Sequence, residues 1–423
     1  MDIKDFIKHT GRTKVIIGNG FDLHCGIHTS YRDYYCKNWK KYWQIKKLLL
    51  DYENSNRQID FSNKSIQKWN IWDIFFAINS PDNPNVCKQY WCDIEKLMLS
   101  SLIASEEIEK YKDKIPLYMH SRIHWPDLWG LIFNKKPTDP RDRFIVEFIE
   151  HGMRENDYLV FSYYDFLLQQ LNVFEKNFGE FIYYQIHDRY LEKINRGRAF
   201  YNRMYMSKVV DTIDELCCGH TAIDIDSFNF SPLYDETNKA PVNHINGSWN
   251  RPIFGVDSCF EPSDLRYIFT KTSRRIESKI IENSVTSEVG FSNVIVYGHS
   301  LDSADYSYFF PIFDKLKLLD NEARGKLIFA YTIYDQSKEQ SIKTELRGQV
   351  SKLLFNYAKD KMIPNPNRFL DSISTQQRII FYEIPLIQEE AYRYQADSFE
   401  EDWQKMIKEM DNELSKGLDS III

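Results

Sequence analysis

The spacing of apolar positions changes along the chain, and the change divides it. Val15-Ile16-Ile17 is a short β-branched run without polar alternation, the composition of a strand buried on both faces. From Tyr31 onward the pattern turns helical. Residues 31–52, 65–79, 86–112, 143–152, 163–185 and 198–216 set aromatic and aliphatic side chains at helical spacing between charges. Apart from the ambiguous run at 158–161, this long stretch has no strand signal. Short β-branched and aromatic runs return at 221–225, 241–245, 293–297, 326–332 and 378–384, most of them bounded by Gly, Pro, Asn or Asp. Helical patterns at 304–319 and 336–359 separate several of these runs, and a polar helical tail is expected at 388–416. Such alternation predicts a parallel sheet with crossover helices. The expected fold is therefore α/β, a Rossmann-like parallel sheet with a large helical insertion after the first strand. Its parts are residues 1–31 (first strand and glycine turn), 32–218 (helical insertion), 219–385 (remainder of the sheet domain) and 386–423 (C-terminal helical tail).

The first strand runs directly into Gly18-Asn19-Gly20, a turn whose backbone can take positive φ and approach a ligand closely. Residues 22–28 then start a helix, whose free amides and positive end suit a phosphate. The spacing departs from the dinucleotide fingerprint. Leu23 stands where a third glycine belongs, and no second strand ending in an acid follows about 20 residues on.

Length and composition narrow the classes. A chain of 423 residues suggests two domains, or one with a large insertion, and 43% hydrophobic residues supply an ample core. The 27 Tyr and 28 Phe fit packing between helices better than base stacking. A net charge of −7 gives no overall basic footprint, so nucleic acid is not an expected partner; Lys271-Thr-Ser-Arg-Arg275 reads as a solvated loop. Seven scattered cysteines (Cys25, Cys36, Cys87, Cys92, Cys217, Cys218, Cys259) fit reduced thiols and a cytoplasmic location. No signal-peptide pattern or run of 18 apolar residues stands in the sequence, so no membrane is expected. His24 and His28 lie four apart but lack an acidic third ligand, and no metal is expected. The serines lack a nucleophile elbow.

In an open α/β sheet, ligands sit outside the carboxyl ends of the strands. Four of the expected strand ends are polar: Gly18-Asn19-Gly20-Phe21-Asp22, Ser227-Phe-Asn229-Phe-Ser231, Asn243-His244-Ile-Asn246-Gly247-Ser248, and Gly298-His299-Ser300-Leu-Asp302-Ser-Ala-Asp305. One such turn is ordinarily a cap. Four in one sheet point to a site.

These blocks resemble a known family. Residues 16–31, Phe228-Asn229-Phe230, His244-Ile-Asn-Gly247 with Ile253-Phe-Gly255, and Gly298-His-Ser-Leu301 with Asp305 are similar, in order, to the motifs of the AbiH bacteriophage abortive-infection proteins. Trp91-Cys-Asp-Ile-Glu95 resembles that family's tryptophan-to-glutamate motif, and Glu95 with Trp91 reads as a buried anchor of the insertion rather than a catalytic acid. More distantly the blocks resemble sirtuin-like NAD-binding domains, with Gly18-Asn19-Gly20 at the phosphate turn and Phe228-Asn229-Phe230 beside the nicotinamide ribose. Where those domains place a catalytic histidine before the glycine, this chain has Asn246, and His244 lies two residues earlier on the same strand face.

The resemblance implies a phage-defence protein that binds NAD or a related nucleotide and hydrolyses it. On that expectation Asn229, His244 and Asn246 are the catalytic candidates. The candidate ligand-holding residues are Gly18, Asn19, Gly20, Phe21, Asp22, Thr29, Ser231, Gly298, Ser300 and Asp305. Asn229 would hold a water or the ribose hydroxyls, and His244 would take a proton. The amides after Gly18 and Gly20 would hold the pyrophosphate, and Asp22 and Asp305 would cap a helix or bond a ribose hydroxyl. A phage-derived trigger or self-association through the insertion is the expected partner. A nucleotide sensor without turnover and a metal-dependent nuclease using Asp22, Asp302 and Asp305 are the alternatives.

Overall fold

The computed structural model describes residues 12–24, 27–55, 66, 69–79, 94–104, 144–145, 147–148, 163–191, 223–231, 242–256, 260–278 and 291–384. The chain divides into two compact units. One takes Met1–Ser30, Phe178–Glu261 and Thr270–Tyr392; the other takes Tyr31–Asn177, Pro262–Phe269 and Arg393–Ile423.

The first unit is built on a sheet. Its strands are β1 (Thr13–Ile17), β2 (Ile223–Ser227), β3 (Val242–His244), the small antiparallel pair β4 (Gly247–Ser248) and β5 (Arg251–Pro252), then β6 (Asn293–Tyr297), β7 (Lys326–Tyr331) and β8 (Ile379–Glu383). Six of them pair in parallel in the order β3-β2-β1-β6-β7-β8. With the hairpin left out this is the doubly wound order, which reverses between β1 and β6. The α/β fold with a parallel sheet is as expected. Because β1 pairs level with both neighbours, Ile17, Ser227 and Tyr297 end side by side, and Ser227 pairs with His244. Four strand ends thus share one edge.

Both sheet faces are covered, which explains the continuous apolar runs. Val15, Ile17, Ile225, Ile295, Tyr297 and Ile328 pack on one side with Phe21. Ile16, Val294, Val296, Leu327 and Phe329 pack on the other, with side chains from the crossover helices. In chain order the helices of this unit are α1 (Asn19–His24), the end of α6 (Tyr163–Leu191), α7 (Lys271–Ser278), α8 (Tyr306–Lys315), α9 (Glu339–Asp360) and α10 (Pro366–Thr375). Phe178 of α6 meets Phe230 and Phe254 edge to face at 5.2 and 5.0 Å. Gly179 lets that helix rest on the hairpin, since a Cβ there would lie 2.0 Å from the Trp249 carbonyl oxygen.

The second unit contains α2 (Tyr31–Lys37), α3 (Trp39–Ser55), α4 (Ile71–Asn79), α5 (Ile94–Ala104) and the start of α6. Its aromatic wealth is core: Tyr35 stacks on Tyr42 at 4.5 Å, and Trp72, Phe76 and Phe174 are buried together. Asn70 and Asp73 cap α4 reciprocally, each side chain accepting from the other's amide at 2.8 and 3.2 Å. Among the described residues no helix is long and apolar enough to cross a membrane.

Several boundaries differ from expectation. The strand expected at 221–225 runs on to Ser227, which pairs in register with Ile17; residues 221–222 lie outside the described residues. The pattern at 31–52 breaks into α2 and α3 at Asn38, whose side chain caps the Tyr34 carbonyl at 2.9 Å. The helix expected at 22–28 begins at Asn19, inside the glycine turn. Residues 271–275 are no solvated loop but the start of α7, and α10 has no counterpart in the periodicity reading. The patterns at 198–216 and 388–416, the run at 158–161, and Trp91, Cys25 and Cys217-Cys218 lie outside the described residues.

Candidate functional site

The carboxyl edge gathers the expected residues around one carboxylate. Asp22, in α1, is wholly buried. It accepts from Thr29 Oγ1, from Asn229 Nδ2 at 2.8 Å and from Ser231 Oγ at 2.8 Å. Burial raises its pKa from 3.8 to about 6, against the pull of those three donors. Both oxygens of the Asp22 carboxylate are thus engaged by side chains of the protein.

Asn229 ties that carboxylate to the sheet. Its Nδ2 also donates to the Gly18 carbonyl at 3.0 Å, and its own amide donates to Ser227 Oγ at 3.2 Å. Two acceptors fix the amide nitrogen, so the orientation follows from chemistry. Asn229 Oδ1 accepts nothing from the described residues. On the next strand, His244 Nδ1 lies 3.3 Å from the Asn229 carbonyl oxygen. A carbonyl only accepts, so Nδ1 carries a proton, and in the neutral form of the ring the lone pair falls on Nε2.

Asn246 is bound at both ends of its amide. Its Nδ2 donates to the Phe228 carbonyl at 3.4 Å, and its Oδ1 accepts from Arg275 Nη2 at 3.0 Å. Arg275 Nε donates to the Ile245 carbonyl at 3.1 Å, and its guanidinium lies 6.0 Å from the centre of the Tyr308 ring. Tyr308 in turn donates its hydroxyl to Asp226, which is also paired with Lys14.

The glycine turn is used differently from expectation. The Gly18 amide donates to the Tyr297 carbonyl at 2.9 Å and the Gly20 amide to the Gly298 carbonyl at 2.7 Å. The Phe21 amide turns back to Gly18 at 2.9 Å. A Cβ on Gly18 would lie 2.5 Å from the His299 Cα, and one on Gly20 2.6 Å from the Gly298 Cα. Gly298 has a φ of +66° and is equally hemmed in by Gly20 and Phe21. Absent side chains let the ends of β1 and β6 touch backbone to backbone. Phe21 is core, edge-on to Tyr297 at 5.8 Å. Asn19 stays half-buried and accepts weakly from Thr29 at 3.4 Å, while Ser300 is exposed.

Asp305 belongs to a separate buried cluster. Lys271 Nζ donates to its Oδ1 at 2.7 Å, and His299 Nε2 approaches its Oδ2 at 3.5 Å. Burial would raise the Asp305 pKa, but the charges of Lys271, His299 and Arg275 outweigh it and hold the carboxyl below its ordinary value. His299 Nδ1 accepts from the Leu301 amide at 2.9 Å, so Nε2 carries its proton, and burial lowers its pKa. The ring packs edge-on to Phe228 at 4.4 Å.

Lys271, Arg275, Tyr308 and the His24–Thr332–Tyr297 contacts (3.3 and 2.8 Å) were outside the expected set. A signal for α7 was present: Thr270 Oγ1 accepts from the Ser273 amide at 3.2 Å, a helix N-cap followed by cations four apart. Among the described residues no three His, Cys, Asp or Glu side chains gather as metal ligands. Asp22 and Asp305 are held by different partners.

A doubly wound α/β protein with a polar cluster at its carboxyl edge is thus defined. The family model described as Bacteriophage abortive infection AbiH matches residues 15–324, well over half of the chain. The chain belongs to the AbiH family, which implies a role in bacteriophage abortive infection. No curated protein and no solved structure matches it, and the likeness to sirtuin-like domains is not shown.

Proposed function

We propose that the sheet unit binds a nucleotide at the carboxyl ends of β1, β2, β3 and β6 and hydrolyses its N-glycosidic bond, with NAD the first substrate to test. The observation that carries this is the pairing of Asn229 and His244. Asn229 is held through its amide nitrogen and its Oδ1 accepts nothing from the described residues, and His244 stands beside it with Nδ1 against the Asn229 carbonyl. The balance of the step is simple. A water oxygen bonds to the ribose C1′ as the C–N bond breaks, nicotinamide leaves neutral with the bonding electrons, and the water's proton passes to His244 Nε2. Asn229 Oδ1 would receive a water O–H or a ribose hydroxyl. In abortive infection such depletion of a central nucleotide would halt the infected cell.

Asn246 favours a second reading, a sensor without turnover. Both ends of its amide are bound, and an amide takes up no proton near neutral pH.

The test is NAD content in bacteria expressing the chain, with and without phage, beside Asn229→Ala and His244→Ala variants whose folding is checked by thermal melting. Depletion on infection that His244→Ala abolishes supports hydrolysis. Intact protection with unchanged NAD overturns it, and purified protein that binds NAD and returns it unaltered establishes the sensor.

A further inference from the structure

We infer that the anionic part of the ligand is received by Arg275, at the end of β3, and not by the glycine turn; this rests on the nucleotide reading above. Three amides of the turn are already committed. The amides of Gly18, Gly20 and Phe21 donate to carbonyls within the protein, and the backbone of Gly298 and His299 occupies the space that the missing side chains leave.

Four charged groups near this edge are enclosed. Asp22 is wholly buried, Lys271 and Asp305 form a buried pair, and Arg274 is 6% exposed. Arg275 is half-buried and sits one contact from the Asn229–His244 pair, through Asn246 and the Phe228 carbonyl. It is also held in place. Its Nε and Nη2 are bonded to Ile245 and Asn246, and its plane lies near the Tyr308 ring, whose hydroxyl is fixed by Asp226. A rigid guanidinium loses little freedom on meeting a phosphate, and its planar fork matches phosphate oxygens better than an ammonium does. The ligand class that follows is a nucleotide bearing at least one phosphate, with the glycosidic bond near His244 and the phosphate toward α7.

The experiment is calorimetric titration of the full chain and of Arg275→Ala and Arg275→Gln with NAD, ADP-ribose and adenosine. A single-stranded oligonucleotide is a fourth probe. Losing one charge-assisted contact is expected to weaken NAD and ADP-ribose by about 10- to 100-fold. Adenosine binding should stay within about twofold, which also certifies folding. Arg275→Gln keeps hydrogen-bonding reach without charge and serves if the alanine variant melts. Unchanged NAD and ADP-ribose affinity in either folded variant overturns the inference while leaving the nucleotide reading intact, as does equal weakening of adenosine. If the unaltered chain binds none of the small probes, the nucleotide reading itself falls, and oligonucleotide binding lost with Arg275 would assign the cation to nucleic acid.

Discussion

Asp22 makes the most discriminating stability prediction, because two opposing effects act on one wholly buried group. Desolvation disfavours its carboxylate, and donors from Thr29, Asn229 and Ser231 favour it; desolvation prevails and the pKa rises from 3.8 to about 6. An acid with a raised native pKa holds its proton more tightly when folded. Its contribution to stability is full below about pH 4 and is lost as the pH rises through about 6. That interval corresponds to about 3 kcal/mol. Asp22→Asn removes the titration at nearly constant size. The amide oxygen can keep the Asn229 and Ser231 bonds while the amide nitrogen faces Thr29, whose hydroxyl can turn to Asn19. We expect a pH-independent cost of about 1 kcal/mol for that rearrangement. The variant should therefore be less stable than the parent by about 1 kcal/mol near pH 4 and more stable by about 2 kcal/mol near pH 7.5. Urea denaturation of both proteins at the two pH values reads this directly. A penalty that is constant with pH, or greater near pH 7.5, refutes the balance and means that the three donors prevail over burial.

Two further changes probe the same edge. Gly298→Ala forces a Cβ into a φ of +66° and within 2.5 Å of the Phe21 nitrogen; urea denaturation should show a loss of at least about 3 kcal/mol, and a loss under about 1 would mean the two strand ends can separate cheaply. Lys271→Met strands a buried carboxylate and should cost about 3–5 kcal/mol, most of it restored in the Lys271→Met, Asp305→Leu double variant. Single costs that simply add in the double variant would show that the pair is not coupled.

The sheet was legible because buried parallel strands are written in contiguous β-branched residues. Asn293–Tyr297 has the ends its composition predicts. The level ends of β1 and β2 were not, since register depends on pairing partners some 200 residues away and carries β2 on to Ser227. The helix break at Asn38 and the existence of α7 depended on side-chain caps that periodicity ignores. Asn229 and Asp22 were legible as polar residues at strand ends. That they bind each other was not, because nothing local links residues separated by 207 positions. Arg275 was visible only as part of the basic run 271–275, which reads as a solvated loop because its bonds to Ile245 and Asn246 leave no local trace.

The glycines carry the most general lesson of this edge. The physics that makes Gly18 and Gly20 attractive as a phosphate cradle is the missing Cβ, which permits close approach of another group. In this chain the approaching group is its own backbone at Gly298 and His299. The same pattern that suggests a ligand loop therefore builds the frame that holds Asp22 and Asn229. Several polar residues of the strand ends are spent on that frame: Asp22 and Ser231, with Thr29, in one cluster, and His299 and Asp305, with Lys271, in the other. Variants of these residues change stability before they report on chemistry, and Asn229→Ala does both, since its amide nitrogen supports Asp22 and the Gly18 carbonyl while its oxygen accepts nothing from the described residues. His244 and Arg275, both half-buried and outside these two clusters, separate the two effects. Function in this unit is to be read from them.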